Sequence, residues 1–438
     1  MYLSNFLYCV SIIYMKEELL HFIWLSKILL KHELVLVNKK RVEILNIGVL
    51  NHDAGPDFFN AKIKIDQEIL VGNIEIHIKA SDWISHKHTN DKKYDNVILH
   101  VVYENDNPIF DSNNLPILTL ELKPYLDPKL LNKYKILEQQ QSVIPCEPIF
   151  SLPNEFKLNN WLHRLVFERL EKKCDRIEVL LKANNNNWEQ TFYVLTAQYF
   201  GQKTNEQAFE WLAKNLPLQV IAKHKDKLSQ IEALVLGIAG FFDKELKNDY
   251  LKFLQKEYFH LQKKYDLVSI EKEIWKFGKM RPSNFPTIRL MQFAALLYQS
   301  SHLFSKVLAI ENIKDLQELY QLKHIHLIHL SELSNHDFDA IKTDLGKSAI
   351  NTIIINTVVP IVFLYGKLRF DETKCDKAVN WLEQLKPENN NIVTFWESLN
   401  IKAQNAAQTQ ALLQLKNEYC ANKKCLNCEI GFHVLNNN

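Results

Sequence analysis

The hydrophobic period of the chain changes about a third of the way along its 438 residues, and this change limits the folds that it can adopt. Up to residue 122, short runs rich in β-branched residues alternate apolar and polar positions, which is typical of strands. From about Asn154, apolar residues recur at helical spacing through several long segments. The sequence therefore predicts an α+β protein with an N-terminal helix, a mixed β-sheet domain and a mostly helical C-terminal half.

The same pattern divides the chain into five segments. Residues 1–14 are apolar but too short to span a bilayer and lack a basic start, so we expect a mis-assigned extension. Met15 begins a predicted helix with Glu17 and Glu18 in its first turn, where a helix favours acidic residues. The other predicted segments are a sheet domain over residues 15–125, a proline-rich linker over 126–153, a helical domain over 154–415 and a cysteine-rich tail over 416–438.

The sheet domain combines strand-like runs with an unusual share of the glycines. The chain has only 10 glycines, so we expect Gly48, Gly55 and Gly72 to lie where the backbone does not tolerate a Cβ atom. The predicted strands are Leu34–Val37, Val42–Ile47, Ala61–Ile65, Ile69–Lys79, Asn96–Tyr103 and Leu115–Leu122.

Composition limits the partners and the compartment. The 53 basic and 51 acidic residues nearly cancel, so binding to nucleic acid would need a local basic patch. Seven cysteines, an odd number, favour a reducing compartment over a disulfide framework. We therefore expect a cytoplasmic protein with no membrane partner.

Several segments resemble a known bacterial family, the domain of unknown function 2851. They include DAGPDFFNAKI, GNIEIHIKASDW, YDNVILHVVYE, FGQKTNEQAFEWLA, MRPSNFPTIRL and the terminal YCANKKCLNCEIG. The resemblance runs from about Met15 to the end of the chain. Because the role of that family is unknown, the resemblance implies no activity.

A second resemblance is to the PD-(D/E)xK nuclease superfamily, and it implies a restriction-endonuclease-like fold. Pro56 and Asp57 precede one predicted strand, and Glu75-Ile76-His77 lies in the next. Asp57 and Glu75 would supply the oxygen ligands that Mg²⁺ or Mn²⁺ prefers. Such an ion would activate a water molecule for attack on a phosphodiester. The chain departs from the superfamily pattern at His77, where the pattern has lysine.

The predicted catalytic residues are Asp57, Glu75, His77 and Lys79. Residues two apart in a strand share a face, so Glu75, His77 and Lys79 project together. His77 is predicted to act as a general base or metal ligand, and Lys79 to take the electrostatic role of the missing lysine. A helix acid, Glu17 or Glu18, would complete the shell. The alternative is an exposed pair of charges on an amphipathic strand, with a plain turn before it.

Three further histidines offer a different site. His86 and His88, with His100, would build a zinc or manganese hydrolase centre, since imidazole suits both metals. His100 lies in an apolar strand, so we favour a core role for it.

The tail carries a separate cysteine cluster. Cys420, Cys425, Cys428 and His433 have the spacing of a structural zinc site. With Cys146 as the fourth ligand, the arrangement resembles that of iron–sulphur nucleases in the same superfamily, and a [4Fe–4S] cluster is the alternative. We favour zinc, because His433 is local and closing a long loop costs entropy.

Basic residues of the helical half suggest a partner. Lys279, Arg281 and Arg289 lie among aromatic residues and are predicted to contact nucleic acid, with a structural helix entry as the alternative. Two functions remain open from the sequence. One is a Mg²⁺- or Mn²⁺-dependent phosphodiesterase acting on nucleic acid; the other is a non-catalytic scaffold with a degenerate nuclease-like sheet and a zinc-stabilised tail.

Overall fold

A computed structural model describes residues 15–322, 330–334 and 344–437. The predicted extension 1–14 lies outside these described residues. The chain divides into two compact units, one comprising Met1–Leu158 with Lys416–Asn438 and the other Asn159–Leu415. The cysteine-rich tail therefore belongs to the same unit as the sheet.

The first unit is built on a seven-stranded mixed sheet. Strand order is β1-β2-β4-β5-β6-β7, with β3 paired to β4. The pairs from β1 to β5 are antiparallel, whereas β6 is parallel to β5 and β7 is parallel to β6. The elements are α1 (Glu17–Leu25), β1 (Leu34–Val35), β2 (Arg41–Asn46), β3 (Val49–Leu50), β4 (Phe58–Ile65), β5 (Glu68–Lys79), α2 (Asp82–Ser85), β6 (Val97–Glu104), β7 (Thr119–Glu121) and α3 (Pro128–Gln139).

The predicted α+β class is confirmed, and every predicted strand is present, but Leu34–Val37 and Leu115–Leu122 are shortened to Leu34–Val35 and Thr119–Glu121. The two-residue strand β3 was not predicted, because it is too short for a period to be visible. Gly48 and Gly55 have φ angles of +85° and +126°. A Cβ on Gly72 would lie 2.4 Å from Ile98 Cγ2, where β5 and β6 approach each other. All three glycines therefore occupy positions that disfavour a side chain, as predicted.

Helix α1 forms because its acidic first turn precedes an apolar face. Leu19, Leu20 and Ile23 are fully buried. Trp24 Nε1 donates a hydrogen bond to the Ile47 carbonyl at 2.9 Å, which joins the helix to the end of β2. The helix also contacts β5.

Strand β5 presents a different chemistry on each face. Ile74 and Ile76 are buried apolar residues, while Glu75 and His77 between and after them are buried polar residues. Side chains at successive positions point to opposite sides of a sheet. One face of β5 therefore contributes to the apolar core, and the other carries ionisable groups shielded from solvent.

The predicted linker 126–153 contains helix α3. The Asp127 side chain caps this helix by accepting from Lys129 N at 2.8 Å, and Pro128 occupies its first position. Leu130, Tyr134 and Leu137 are buried. Instead of connecting the two units freely, the first part of this segment packs within the sheet-containing unit.

The second unit is helical over its described residues, as predicted. One helical stretch in it, Lys347–Arg369, is long and apolar enough to cross a membrane, and 72% of its most apolar window is buried inside the protein. From the end of the first unit onward, the helices are α4 (Glu155–Ala183), α5 (Trp188–Phe200), α6 (Gln202–Asn215), α7 (Leu218–His224), α8 (Leu228–Ile238), α9 (Asp249–Tyr265), α10 (Pro286–Gln299), α11 (Leu303–Ala309), α12 (Ile313–Leu319), α13 (Ser331–Ser334), α14 (Lys347–Ile353), α15 (Val359–Arg369), α16 (Glu372–Gln384), α17 (Asn391–Ser398) and α18 (Ala406–Gln414). The tail of the first unit contains α19 (Glu429–Asn436).

Candidate metal centre

Four ionisable side chains converge on the polar face of β5. Glu75 Oε1 lies 3.4 Å from His77 Nε2 and 3.4 Å from His88 Nε2. His77 Nε2 lies 3.1 Å from His86 Nδ1. One donor atom from each of His77, His86 and His88 lies within 4.8 Å of the other two. We call these four residues the histidine cluster.

The spacing within the histidine cluster matches the edges of a metal coordination polyhedron. A zinc ion with bonds of about 2.0–2.1 Å has ligand atoms about 3.3 Å apart when it is tetrahedral. The three measured separations, 3.1, 3.4 and 3.4 Å, are close to that value. His88 Nε2 is also buried and has no hydrogen-bond partner among the described residues, so its lone pair is available to an ion. The three histidines fit a divalent metal, and Glu75 lies beside two of them.

Two short helical elements after β5 place His86 and His88 beside the strand. His86 follows helix α2, and His88 begins a turn of 3₁₀ helix over His88–Asn90. Lys87 between them has a φ of 63°, which reverses the local direction of the chain. The ring of Tyr94 stacks on His88 with centroids 3.8 Å apart. Trp83 packs against the edge of His88 at 5.4 Å.

His100 supports the histidine cluster from the neighbouring strand. It pairs with Glu75 in the parallel register of β5 and β6 and is fully buried. Its Nε2 lies 2.8 Å from His77 Nδ1. When His77 donates its Nδ1 proton to His100, the His77 Nε2 lone pair faces Glu75 and His86. Metal-binding histidines are commonly oriented by such a second hydrogen bond.

Backbone N–H groups hold the carboxylates of both Asp57 and Glu75. Glu75 Oε2 accepts from Asp57 N at 3.1 Å, and Asp57 Oδ2 accepts from Ile76 N at 2.9 Å. This reciprocal pairing joins the start of β4 to the middle of β5. It leaves Glu75 Oε1 as the carboxylate oxygen that faces the histidines.

The electrostatics of the cluster are strongly perturbed by burial. Burial, followed by the nearby charge of Asp57, raises the pKa of Glu75 to about 9. Burial, followed by His86 and His88, lowers the pKa of His77 to about 3. Burial also places the pKa of His100 well below its ordinary value. His77 and His100 therefore stay neutral, and a cation bound to His77 would favour the charged form of Glu75.

Helix α1 brings an acid and a base to the same place. His21 Nε2 lies 3.2 Å from Asp57 Oδ2. Burial lowers the pKa of His21, but the hydrogen bond and charge of Asp57, with Glu17, more than offset that effect and leave it raised. Glu17, one turn earlier on the same face, has a pKa raised by burial and then by Asp57. Glu17 rather than Glu18 is thus the helix acid that faces the cluster.

The predicted residues are not all brought together. Asp57, Glu75 and His77 are neighbours, and His86 and His88 belong to the same cluster rather than to a second one. Lys79 makes no side-chain contact with it within the described part of the chain. Its charge instead acts on Asp106. Burial raises the pKa of the Asp106 carboxyl, but hydrogen bonds from Ser81 and the charge of Lys79 more than offset burial and leave that pKa lowered.

The family of the chain follows from a model that covers most of it. The family described as protein of unknown function (DUF2851) matches residues 17–391. The chain belongs to this family. Neither the curated proteins nor the solved structures contained a match. The histidine cluster lies inside the part of the chain that matches DUF2851, whereas Cys420, Cys425 and Cys428 lie beyond it.

In this DUF2851 member, the predicted nucleic-acid contacts have different surroundings. Arg289 is buried, and its Nη1 and Nη2 donate to Gln292 Oε1 at 2.9 Å and Asn284 Oδ1 at 2.6 Å. Burial lowers its pKa to about 10. Arg289 therefore serves the interior of the helical unit and cannot reach a nucleic acid. Lys279 and Arg281 are exposed.

Cys146 and the tail cysteines influence one another electrostatically. The pKa of Cys146 is raised to about 12 by burial and then by Cys428 and Cys425. The pKa of Cys420 is raised by burial, then by Cys428, Cys146 and Cys425. His433 Nε2 instead lies 2.6 Å from Asn437 Nδ2. Neither predicted ligand set places three donor atoms within 4.8 Å of one another among the described residues, so both stay predictions.

Sequence reasoning did not identify His21. Its helical spacing from Glu17 was a usable signal, but its contact with Asp57 depends on how α1 packs against the sheet.

Proposed function

We propose that this protein is a metal-dependent hydrolase that cleaves phosphodiester bonds in nucleic acid. The observation that carries the proposal is the convergence of Glu75 and three histidines at coordination distances, with the Asp57–His21 pair beside them. Four protein ligands would close a tetrahedral site, so water would need a fifth coordination position, which catalytic zinc sites sometimes use. His86 is exposed, which leaves one side of the cluster accessible to solvent and substrate.

The donor set favours Mn²⁺ or Zn²⁺ over Mg²⁺. Mg²⁺ prefers oxygen ligands and retains several waters, whereas imidazole suits transition metals. The cluster offers three imidazole nitrogens and one carboxylate oxygen. Asp57 adds a second carboxylate nearby, which would reach the metal directly or through a water molecule.

The roles of the protein groups follow from their contacts. A bound divalent ion would polarise a phosphoryl oxygen and lower the pKa of a water molecule. Glu75, His77, His86 and His88 would hold it, with His100 orienting His77. Asp57 holds the His21 ring through its Nε2 atom. A histidine paired with a carboxylate can take a proton from water or give one to a leaving group, so His21 would serve as the general acid or base.

The order of elements supports a nuclease rather than another hydrolase. An acid-bearing helix precedes antiparallel strands, Asp57 begins one strand, Glu75 and His77 lie on the next, and a parallel strand follows. This order resembles the PD-(D/E)xK superfamily and supports a restriction-endonuclease-like fold. Exposed Lys279 and Arg281 are the remaining candidates for contact with nucleic acid.

One observation favours a second candidate, the non-catalytic scaffold. The superfamily lysine is replaced by His77, and Lys79 acts on Asp106 rather than on the cluster. A degenerate site of this kind would bind metal or nucleic acid without cleaving it.

Metal binding is the first test. Mn²⁺ or Zn²⁺ is titrated calorimetrically into the metal-free full chain and into a His88→Ala variant. We expect one tight site that His88→Ala loses. The matched control is His32→Ala, which removes an exposed histidine of the same unit. Equal affinity in all three proteins would contradict the assigned ligands.

Cleavage is the second test. Labelled single- and double-stranded DNA and RNA are incubated with the Mn²⁺-loaded protein and with a His21→Ala variant. We expect cleavage that His21→Ala loses while its metal affinity is retained. Metal binding without cleavage of any substrate would favour the scaffold.

A further inference from the structure

A cavity of about 340 Å³ lies in the helical unit, bounded by α5, α7, α10 and the start of α11. Pockets for small molecules have volumes of roughly 300–1,000 Å³, so this cavity suits a small ligand. We infer that it binds a free medium-chain carboxylic acid, with the chain inside and the carboxylate at the mouth. This inference does not depend on the proposed hydrolase, because the cavity and the histidine cluster lie in different units.

The inner wall of the cavity is apolar. Phe293 and Leu296 line it from α10, where residues three apart share a face. Ile221 lines it from α7 and Tyr193 from α5, and all four side chains are buried. The Tyr193 hydroxyl donates to the Leu216 carbonyl at 3.0 Å, so this residue offers its ring to a ligand. An aliphatic chain that leaves water for such a wall gains free energy through the hydrophobic effect.

Helix α7 forms one side of the entrance. Leu218, Ile221 and Ala222 line the cavity and recur at positions i, i+3 and i+4, so they share one face of the helix. Ile221 is buried, whereas Ala222 is exposed. The small Ala222 side chain therefore marks the mouth, and a large residue at this position would obstruct it.

The mouth of the cavity carries a positive charge and neutral polar groups. Lys225 directly follows α7, and Gln219 and His302 line the same cavity; all three are exposed. In the described part of the chain, the side chains of these three residues have no hydrogen-bond or ion-pair partner. The Lys225 amine and the Gln219 amide are therefore free to donate hydrogen bonds to an anionic group at the mouth.

One acidic side chain, Glu189, also lines the cavity, but its oxygens are already engaged. Glu189 Oε1 accepts from Ser305 N at 2.9 Å and from Ser305 Oγ at 2.8 Å. Glu189 Oε2 accepts from Phe304 N at 3.1 Å. Both backbone groups belong to the first turn of α11, where a carboxylate is favoured. Glu189 is thus compensated within the protein, and Lys225 determines the sign of the charge offered to a ligand.

The combination of an apolar wall and a cationic mouth selects the chemistry of the ligand. A carboxylic acid with a single aliphatic chain buries its apolar part and keeps its charge beside Lys225. A nucleotide would bury polar groups of its base and sugar against Phe293 and Leu296, which is costly without hydrogen bonds. A phospholipid, with two long chains and a bulky head group, is too large for a cavity of about 340 Å³.

The test is calorimetric titration of the full chain with decanoate, hexadecanoate, decanol and acetate, at several temperatures and below the concentrations at which the amphiphiles aggregate. We expect one site for decanoate with a negative heat-capacity change, weaker binding of decanol and hexadecanoate, and no binding of acetate. Decanol has the chain without the charge, and acetate has the charge without the chain.

Three variants locate the ligand. Ala222→Trp is expected to abolish decanoate binding by obstructing the mouth. Lys225→Gln is expected to weaken decanoate about two- to fivefold, the range for an exposed ion pair, and to leave decanol unchanged. The matched control is Lys223→Gln on the same helix, whose amine lies over the Tyr265 ring and does not line the cavity. This control is expected to bind both compounds as the wild type does.

Four results would overturn the inference. Equal affinity for decanoate in Lys225→Gln and wild type would remove the carboxylate from Lys225. Unchanged binding in Ala222→Trp would place the ligand elsewhere. Tighter binding of hexadecanoate than of decanoate would contradict the chain length. Absence of decanoate binding at every temperature, in a protein whose circular dichroism shows a folded state, would remove the site. His88→Ala leaves the cavity intact and is expected to bind decanoate normally, so failure of the hydrolase proposal is measured separately.

Discussion

Replacing Glu75 with glutamine is expected to stabilise the metal-free protein while it removes the metal site. Burial, followed by the charge of Asp57, raises the pKa of Glu75 from 4.5 to about 9. Because the folded pKa is the higher one, the stabilising contribution is fully present below pH 4.5 and is lost as the pH rises through about 9. At neutral pH the buried Glu75 carboxyl therefore lowers the free energy of unfolding by about 3 kcal/mol, at about 1.4 kcal/mol for each pH unit above 4.5.

Glutamine removes this cost without removing the local hydrogen bond. Its carbonyl oxygen can accept from Asp57 N, which Glu75 Oε2 now does at 3.1 Å. The free energy of unfolding is measured by urea denaturation of the chelator-treated full chain over a range of pH. The advantage of Glu75→Gln over wild type is expected to grow from near zero at about pH 4.5 to about 3 kcal/mol at neutral pH. Glu68→Gln, at an exposed position of the same strand, is the control and is expected to show no such trend.

Added metal is expected to reverse the order of stability. Wild type gains stability from Mn²⁺ or Zn²⁺ in proportion to the logarithm of the metal concentration, and Glu75→Gln gains little. A difference between the two metal-free proteins that stays constant with pH would refute the reasoning, because it would mean that Glu75 is not buried beside Asp57.

Three further predictions concern groups around and beyond the cluster. The pKa of His77 is lowered from 6.5 to about 3, so its contribution to the free energy of unfolding is complete above pH 6.5 and is lost as the pH falls towards 3. In denaturation of the metal-free chain near pH 5, the free energy of unfolding of His77→Asn relative to wild type should therefore be about 2 kcal/mol higher than it is above pH 6.5. Gly72→Ala should lower the stability of the sheet unit by about 1–3 kcal/mol in the same assay, because its Cβ would collide with Ile98; an unchanged value would contradict the close approach of β5 and β6. Arg289→Ala should lower the melting temperature of the chain and Lys279→Ala should not, as measured by circular dichroism; equal effects would contradict the burial of Arg289.

Period-2 patterning made much of the sheet predictable from the sequence. It located β5 and therefore the shared face of Glu75 and His77, which depends only on strand geometry. It did not show that this face is buried, and so the exposed ion pair remained an alternative. The burial arises from α1 and from the return of the chain through α2, which bring His21, His86 and His88 over the strand. These are long-range contacts that no local pattern encodes.

The same distinction explains the treatment of Lys79 and Arg289. Lys79 has the right spacing to share the face of Glu75, but the strand ends at Lys79 and its side chain lies beyond the cluster. Arg289 lies in a basic and aromatic segment, yet α10 is buried almost throughout its length. Sequence composition identified a charged residue there, while its solvent exposure was decided by the packing of a helix that is apolar on nearly all sides.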